Sequence, residues 1–333
     1  MRKGLTLVEL LVVLAILAAI ASSVAVSADG MGFRAKVEEA RRQGEAMRDA
    51  IRRSDGLSLA ADMGMNPHEF SSGALGLLAS RAFRIGTQRL PDERLDGENP
   101  GHLRFAPLYR EYRLDELRAS TTNLESSALA ALDAAVANDA ALSNAWSQTR
   151  LGGGWRGPYC TAAVQDSETR LLKDPFGGFW DVRVMDGADL SGTAALTSCG
   201  GDQIPDSSAG ADTNDWRNAD MEFPFSATNA VVSLTVEVSL ESSAESSKTV
   251  HVYCISPTLD VANEECSMRG HMAHAIVSAT AAGGSETIRD GLAPGEWAVF
   301  AFTSDGETKF APVRKVVLSS GSNKAKILLE TNL

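Results

Sequence analysis

The sequence is short of basic residues: 31 lysines and arginines stand against 43 aspartates and glutamates, for a formal charge of −12. With no basic patch carrying interleaved aromatics, nucleic acid is excluded as a partner. No Gly-x-Ser-x-Gly elbow marks a nucleophile and nothing points to a paired-carboxylate glycosidase, so an enzyme is not expected. Cysteine is scarce. Only Cys160, Cys199, Cys254 and Cys266 occur in 333 residues. At this length, with 44% hydrophobic and 22% charged residues, a chain builds its core without staples and has room for two folded units. The most telling absence is of charge between Leu10 and Ala28, 19 residues in a row. As a helix that run spans about 28 Å, close to the hydrocarbon thickness of a bilayer. Arg2 and Lys3 precede it and Asp29 follows, so the start stays cytoplasmic and the rest is sent outward. Export makes four cysteines compatible with two disulfides, for which sequence permits three connectivities.

Two readings of this start compete. A secretory signal would have the basic start, the apolar middle and a small-residue cleavage site at Val26-Ser27-Ala28. Glu9 counts against it, because a carboxylate inside an apolar run is unfavourable and usually functional. The string Lys3-Gly4-Leu5-Thr6-Leu7-Val8-Glu9-Leu10 resembles the prepilin peptidase site of type IV pilins and type II secretion pseudopilins. Leu5 stands where those proteins usually have Phe. The resemblance implies cleavage after Gly4, which presents no side chain to the peptidase, and N-methylation of the new amine at Leu5. It also implies that Glu9 meets the positive amine of a neighbouring subunit in a filament, each charge offsetting the other in an apolar setting.

Beyond Asp29-Gly30-Met31-Gly32, where two glycines weaken a helix by about 1 kcal/mol each, apolar residues recur at helical steps. Val37, Ala40, Gly44, Met47 and Ile51 form one stripe among charged neighbours, and Ser54-Asp55-Gly56 ends the helix. Such a helix, half membrane span and half amphipathic stalk, is similar to that of pilins. Relatives often carry a proline near position 26, where this chain has Val26.

In the middle, Ser72–Ile85 and Leu114–Trp146 read as helical and Leu90–His102 as a loop. Gly154-Trp155-Arg156-Gly157-Pro158-Tyr159 and Asp174-Pro175-Phe176-Gly177-Gly178-Phe179-Trp180 are two Gly/Pro turns, each aiming aromatic rings at a shared core. Asp181–Met185 alternates like a strand. The two turns resemble a region of the major pseudopilin of type II secretion. Ser198-Cys199-Gly200-Gly201-Asp202 and Asn218-Ala219-Asp220-Met221 resemble the segments that open and close the calcium loop of those proteins. The resemblance implies a calcium site drawn from Asp202, Asp206, Asp212, Asp215 and Asp220, with Asp202 and Asp220 foremost. The alternative is a plain solvated acidic loop. The simplest disulfide pairing is local, Cys160 with Cys199 and Cys254 with Cys266.

From Asn229 the pattern changes to period two. Val232–Leu240 alternates, and Thr249–Ile255, His274–Thr280, Trp297–Thr303, Arg314–Leu318 and Ala325–Glu330 are further strand candidates separated by Gly and Pro turns. Short strands at this spacing suggest a β-sandwich, and Gly291–Trp297 is similar to a turn and strand of prealbumin-like domains. Cys254, Cys266, His271 and His274 also make a Cys2His2 zinc set on residue types alone.

The fold class expected is α+β, a pilin fold followed by a β-sandwich. The expected divisions are a leader at 1–4, a membrane half-helix at 5–28, a pilin-like domain at 29–225 with stalk helix 33–53, and a sandwich at 229–333. The resemblance implies a bacterial inner-membrane, single-pass protein with a periplasmic body. Its expected partners are prepilin peptidase, other pilin or pseudopilin subunits and an inner-membrane assembly platform. Two functions follow: a structural subunit of a pseudopilus or pilus, or a membrane-anchored minor pilin whose C-terminal module acts in adhesion or cargo binding.

Overall fold

A computed structural model describes residues 7–52, 58–66, 84–85, 104–105, 107–166, 171–185, 193–206, 217–225, 232–240, 247–260, 267–280, 283–289, 291–303, 310–319 and 322–329. Helix α1 (Leu7–Arg52) is followed by α2 (Leu59–Met63), strands β1 (Arg84–Ile85), β2 (Arg104–Phe105) and β3 (Arg110–Arg113), and helices α3 (Leu114–Ser120), α4 (Ser126–Asn138) and α5 (Ala140–Gln148). Next come β4 (Arg150–Gly153), β5 (Val164–Gln165), β6 (Leu172–Lys173), β7 (Asp181–Met185), β8 (Thr193–Ser198) and β9 (Met221–Pro224). The last third holds β10 (Ser233–Leu240), β11 (Lys248–Asp260), β12 (Ser267–Ala279), β13 (Gly284–Ile288), β14 (Gly295–Thr303), β15 (Phe310–Leu318) and β16 (Ser322–Leu329). The fold is α+β: a long N-terminal helix, then a chain rich in mainly antiparallel sheet.

Helix α1 runs unbroken through Gly30 and Gly32, both with open space around them. Its second half buries Ala40, Gln43, Gly44, Met47, Ala50 and Ile51, at steps of three and four. The apolar members of that stripe share a core with Trp155, Trp180, Ala194, Leu196, Phe223 and Phe225, over the antiparallel sheet β7-β8-β9. Gly44 makes this contact possible, since a Cβ there would lie 2.4 Å from the Phe223 ring. The region expected to end the helix, Ser54–Gly56, lies outside the described residues.

The expected helix over Ser72–Ile85 does not extend through its last two residues. Arg84 and Ile85 pair instead with Phe105 and Arg104 as a short antiparallel ladder, a tertiary partner overriding local preference; residues 72–83 and the Leu90–His102 loop lie outside the described set. Leu114–Trp146 is not one helix but α3, α4 and part of α5. Asp139 causes the last break, its carboxylate taking the N–H groups of Ala141 and Leu142, each at 2.9 Å, as the cap of α5.

Two sheets make up the C-terminal third, one of order β13-β10-β16 and one of order β12-β11-β14-β15. They share a core set by the period-two alternation of their strands, in which Leu234, Val236 and Val238 pack with Val250, Val252, Trp297 and Val299. The opposite face of the four-stranded sheet is covered by the middle helices: Leu117, Leu132, Leu142 and Trp146 pack on Tyr253, Ile255, Met272 and Phe300. Residues 114–148 therefore share a core with the C-terminal sheet, not with the stalk helix. Their loop also caps the edge strand β12: Asn123 accepts the Met272 N–H at 3.1 Å and donates to its carbonyl at 2.7 Å, as a neighbouring strand would.

Candidate functional site

The first half of α1 has no apolar stripe, because it is apolar all round. Leu10, Leu11, Val12, Val13, Leu14, Ile16, Leu17 and Ile20 are each 47–61% exposed, so none of the described residues covers them. Among the described residues no helix is long and apolar enough to cross a membrane. The consecutive described side chains of this segment, Leu10 to Ser22, cover about 20 Å of helix. Gly4 and Leu5 lie outside the described residues. Glu9 falls on α1, with its side chain outside that set.

Below this segment, the first aromatic turn is bonded to α2 and the second to α1. In the first, Arg156 donates through Nε to both oxygens of Asp62 at 3.0 Å and pairs with it again through Nη2, while the Tyr159 hydroxyl donates to Asp62 Oδ2 at 2.8 Å. The Arg156 backbone N–H donates to the Tyr159 oxygen at 3.0 Å, and the guanidinium lies 4.2 Å over the Tyr109 ring. Asp62 is 2% exposed on α2, whose cap Ser58 accepts the Ala61 N–H at 3.1 Å. Burial, and then the Asp62 charge, push the Tyr159 phenol far above its usual range. Gly154, at φ 108°, has its Cβ position only 2.6 Å from the Leu108 carbonyl oxygen, which only glycine tolerates.

The second turn is organised by Asp174. Its Oδ1 accepts the N–H groups of Phe176 at 3.0 Å and Gly178 at 2.8 Å, and its Oδ2 accepts the Ser198 hydroxyl at 2.7 Å on β8. The turn thereby delivers Trp180, 1% exposed, whose indole N–H donates to Gln43 on α1 at 3.2 Å. Phe176 meets Phe33 of α1 with ring centroids 5.3 Å apart. Sequence reasoning located both turns but missed Asp62 and Gln43, the buried polar residues they engage. The available signal was a lone acid within Leu59-Ala60-Ala61-Asp62-Met63 and a lone amide within the stalk stripe.

The acidic loop is clasped at its ends. The Gly201 N–H donates to the Arg217 carbonyl at 2.9 Å, and Asp206 and Asp220 exchange bonds, each backbone N–H donating to the other's Oδ2 at 3.1 Å. Asp202 Oδ1 accepts the Ile204 N–H at 3.0 Å, while its Oδ2 is buried without a hydrogen-bond partner among the described residues. A buried carboxylate oxygen left so is a donor suited to a hard cation such as calcium. Against this, among the described residues no three Asp, Glu, His or Cys side chains converge closely enough to hold a metal. Asp212 and Asp215 lie outside that set.

Cys160 and Cys254 are buried free thiols, so the structure contains no Cys160–Cys199 bond, and Cys266 lies outside the described residues. The zinc set is broken by strand parity. Cys254 faces the core between the sheets, where burial pushes its thiol up to about 12. His274 sits opposite Tyr253 in the ladder, on the helix-covered face. There its Nε2 lies 3.1 Å from His251 Nδ1, with the ring planes 7° from parallel. Burial, then the neighbouring His251, hold the His274 imidazole below its usual value. His271 is one step out of phase with His274 and packs edge-on against Trp297 of the other face.

Residues 1–25 match the family model described as the prokaryotic N-terminal methylation motif. This motif is typical of type IV pilin-like precursors and implies processing by prepilin peptidase and assembly with other pilin subunits. It points to an exported, membrane-associated protein. The comparison with curated proteins gives no match to this chain.

Proposed function

We propose that the protein is a structural subunit of a periplasmic pseudopilus of a type II secretion system, with no catalytic role of its own. The observation that carries this is the change along α1, from an apolar surface exposed on all sides at Leu10–Ile20 to a buried stripe at Ala40–Ile51. One helix thus offers a surface for lipid or neighbouring helices at one end and holds its own body at the other. In this reading prepilin peptidase cuts after Gly4, the Leu5 amine is methylated, and the first half of α1 is a single inner-membrane span with a cytoplasmic start. Glu9 then pairs with a neighbour's amine and sets the axial register of the filament. The pilin-like body and a sandwich of the two C-terminal sheets hang outside the filament core. The turns at Trp155–Tyr159 and Asp174–Trp180 support the pseudopilin over the pilus.

In a strain lacking prepilin peptidase the chain should keep Met1–Gly4, and the wild-type strain should yield a mature N-terminus at Leu5. Unchanged processing, or a mature N-terminus beyond Ala28, would overturn the proposal. Glu9→Ala should enter the membrane yet be excluded from filaments.

Calcium is part of the proposal, held by Asp202 and Asp220 with other oxygens of the loop, where it would tie the loop's limbs together. Its removal by chelator should lower the melting temperature, since an ion that binds only the folded chain must stabilise it. An unchanged melt returns the loop to a plain acidic one. A second reading, a minor pilin whose C-terminal module binds an adhesion or cargo ligand, is favoured by the open polar face of the β13-β10-β16 sheet.

A further inference from the structure

The strand β10 sends Val236 and Val238 into the core and Thr235, Glu237 and Ser239 to the other face, where Ser285 and Thr287 of β13 and Lys324 and Lys326 of β16 lie across from them. At one end of this face a groove of about 520 Å³ is lined by Glu237, Ser239, Ser285, Lys326 and Arg314, with a wall of Gly283-Gly284 backbone. That volume falls within the roughly 300–1,000 Å³ of small-ligand sites. The wall requires glycine. Gly283 has φ 102°, and a Cβ on Gly284 would lie 2.2 Å from the Ser278 carbonyl oxygen, so β13 starts tight against β12.

The groove runs against the character of the rest of the chain. In a protein of charge −12 it brings two cations together with one acid. Arg314 has no carboxylate partner among the described residues, and Lys326 reaches Glu237 only at 3.5 Å, both side chains exposed. A pair so loose contributes little to stability. Among the described residues no aromatic ring lines the groove, so nothing there offers a stacking platform for a flat apolar ligand. Beside the exposed side chain of Leu328 and the backbone at Val238 and Ile327, the lining combines cations for an anionic group, hydroxyls that donate and accept, and a carboxylate that only accepts. One rigid ligand bearing both an acid group and hydroxyls satisfies all three. A fully ionised phosphate offers Glu237 no donor, and the side chains of an acidic peptide only accept, leaving its backbone N–H groups as the sole donors for that acid.

We propose that this groove binds the sugar acids of an acidic polysaccharide, the ring carboxylate resting on Arg314 and Lys326 and the ring hydroxyls on Glu237, Ser239 and Ser285. Binding here makes no use of the filament helix, so it is separable from assembly.

The test titrates full-length protein in detergent micelles, by calorimetry, with an oligoglucuronate, a neutral glucan of equal length, and an oligoaspartate of equal charge. The oligoglucuronate should bind, and Arg314→Ala and Lys326→Ala should each weaken it about tenfold. Glu237→Gln should weaken the oligoglucuronate while strengthening any residual attraction for oligoaspartate. Failure of the oligoglucuronate to bind, equal binding of either control, or unchanged affinity in the two cation variants would overturn the proposal. Filament incorporation of the same variants, followed in cells, should be normal. Its loss would speak against the separation of the two roles, whereas normal incorporation without glucuronate binding would leave the subunit assignment standing alone.

Discussion

Replacing Asp62 by alanine would leave Arg156 and Tyr159 without their shared acceptor, and the two partners report on it differently. Asp62 is 2% exposed, whereas the Arg156 side chain is 38% exposed and lies over Tyr109. Breaking a buried ion pair costs about 3–5 kcal/mol when the survivor stays buried. Asp62→Ala leaves a guanidinium that water reaches in part, so that loss shrinks to about 2 kcal/mol, to which the stranded Tyr159 hydroxyl adds about 1. Arg156→Ala leaves the buried carboxylate with Tyr159 as its remaining side-chain donor among the described residues, and should cost about 4 kcal/mol. The arginine variant should therefore be the more damaging, although arginine is the more exposed partner. The double variant should cost less than the sum by about 2 kcal/mol. Arg156→Lys, which keeps the charge but loses the fork, should recover only part of the loss. Urea unfolding followed by tryptophan fluorescence measures all four, with Trp155 adjoining the pair and Trp180 in the same core. If Asp62→Ala proved the worse of the two, or if the two losses simply added, the carboxylate would not be the hub that ties α2 to the first turn.

Three further perturbations have definite signs. Gly44→Ala should destabilise by about 1–3 kcal/mol in thermal melts, because the new methyl lands on the Phe223 ring and that overpacking outweighs the roughly 1 kcal/mol of helix propensity gained; a stabilised variant would mean the stalk is not seated on β9. Thr197→Val should instead stabilise by about 1 kcal/mol, since Thr197 Oγ1 is buried without a hydrogen-bond partner among the described residues and valine keeps the shape; destabilisation would reveal a partner for that hydroxyl. The phenols of Tyr109, Tyr112, Tyr159 and Tyr253 are all raised, in each case first by burial, with Tyr253 pushed up to about 12. The folded state thus holds phenolic protons that the unfolded chain releases near pH 10, and stability complete below that pH should fall as pH rises above it. Tyrosinate absorbance should appear together with unfolding, and a smooth titration near pH 10 in a chain still folded would refute the burial argument.

The elements legible in the sequence are those whose neighbours are close in the chain. The stalk stripe was readable because helix period alone decides which residues of α1 face inward. The strand over Asp181–Met185 and the alternation of β10 were readable from period two in the same way. The turns at Trp155 and Asp174 carried their own chemistry in glycine, proline and aspartate. The strands β11 and β12 proved longer than their apolar alternation, at 13 residues each, because their hairpin register runs on through Ser256-Pro257-Thr258 and Met268-Arg269-Gly270. No local pattern encodes that continuation, which pairing across the hairpin enforces. The same holds for the middle helices. Their amphipathic faces were visible, but which sheet they cover is decided by Tyr253, Met272 and Phe300, more than a hundred residues downstream.

Distant contacts also join α2 to the C-terminal third. Asp62 joins α2 to the first turn, and α2 in turn touches the four-stranded sheet: Gly64 lies against the Pro257 carbonyl, Gly295 against that of Ala61, and the Gly64 carbonyl accepts the Thr258 hydroxyl at 3.1 Å. Glu296, next along β14, accepts the Gly152 N–H at 2.8 Å and pairs with Lys315 at 2.9 Å. Burial alone would raise the Glu296 carboxyl, but the Gly152 N–H and Lys315 outweigh it and hold it below the usual range. The four-stranded sheet is thus fastened to α2 and β4 through backbone and polar contacts.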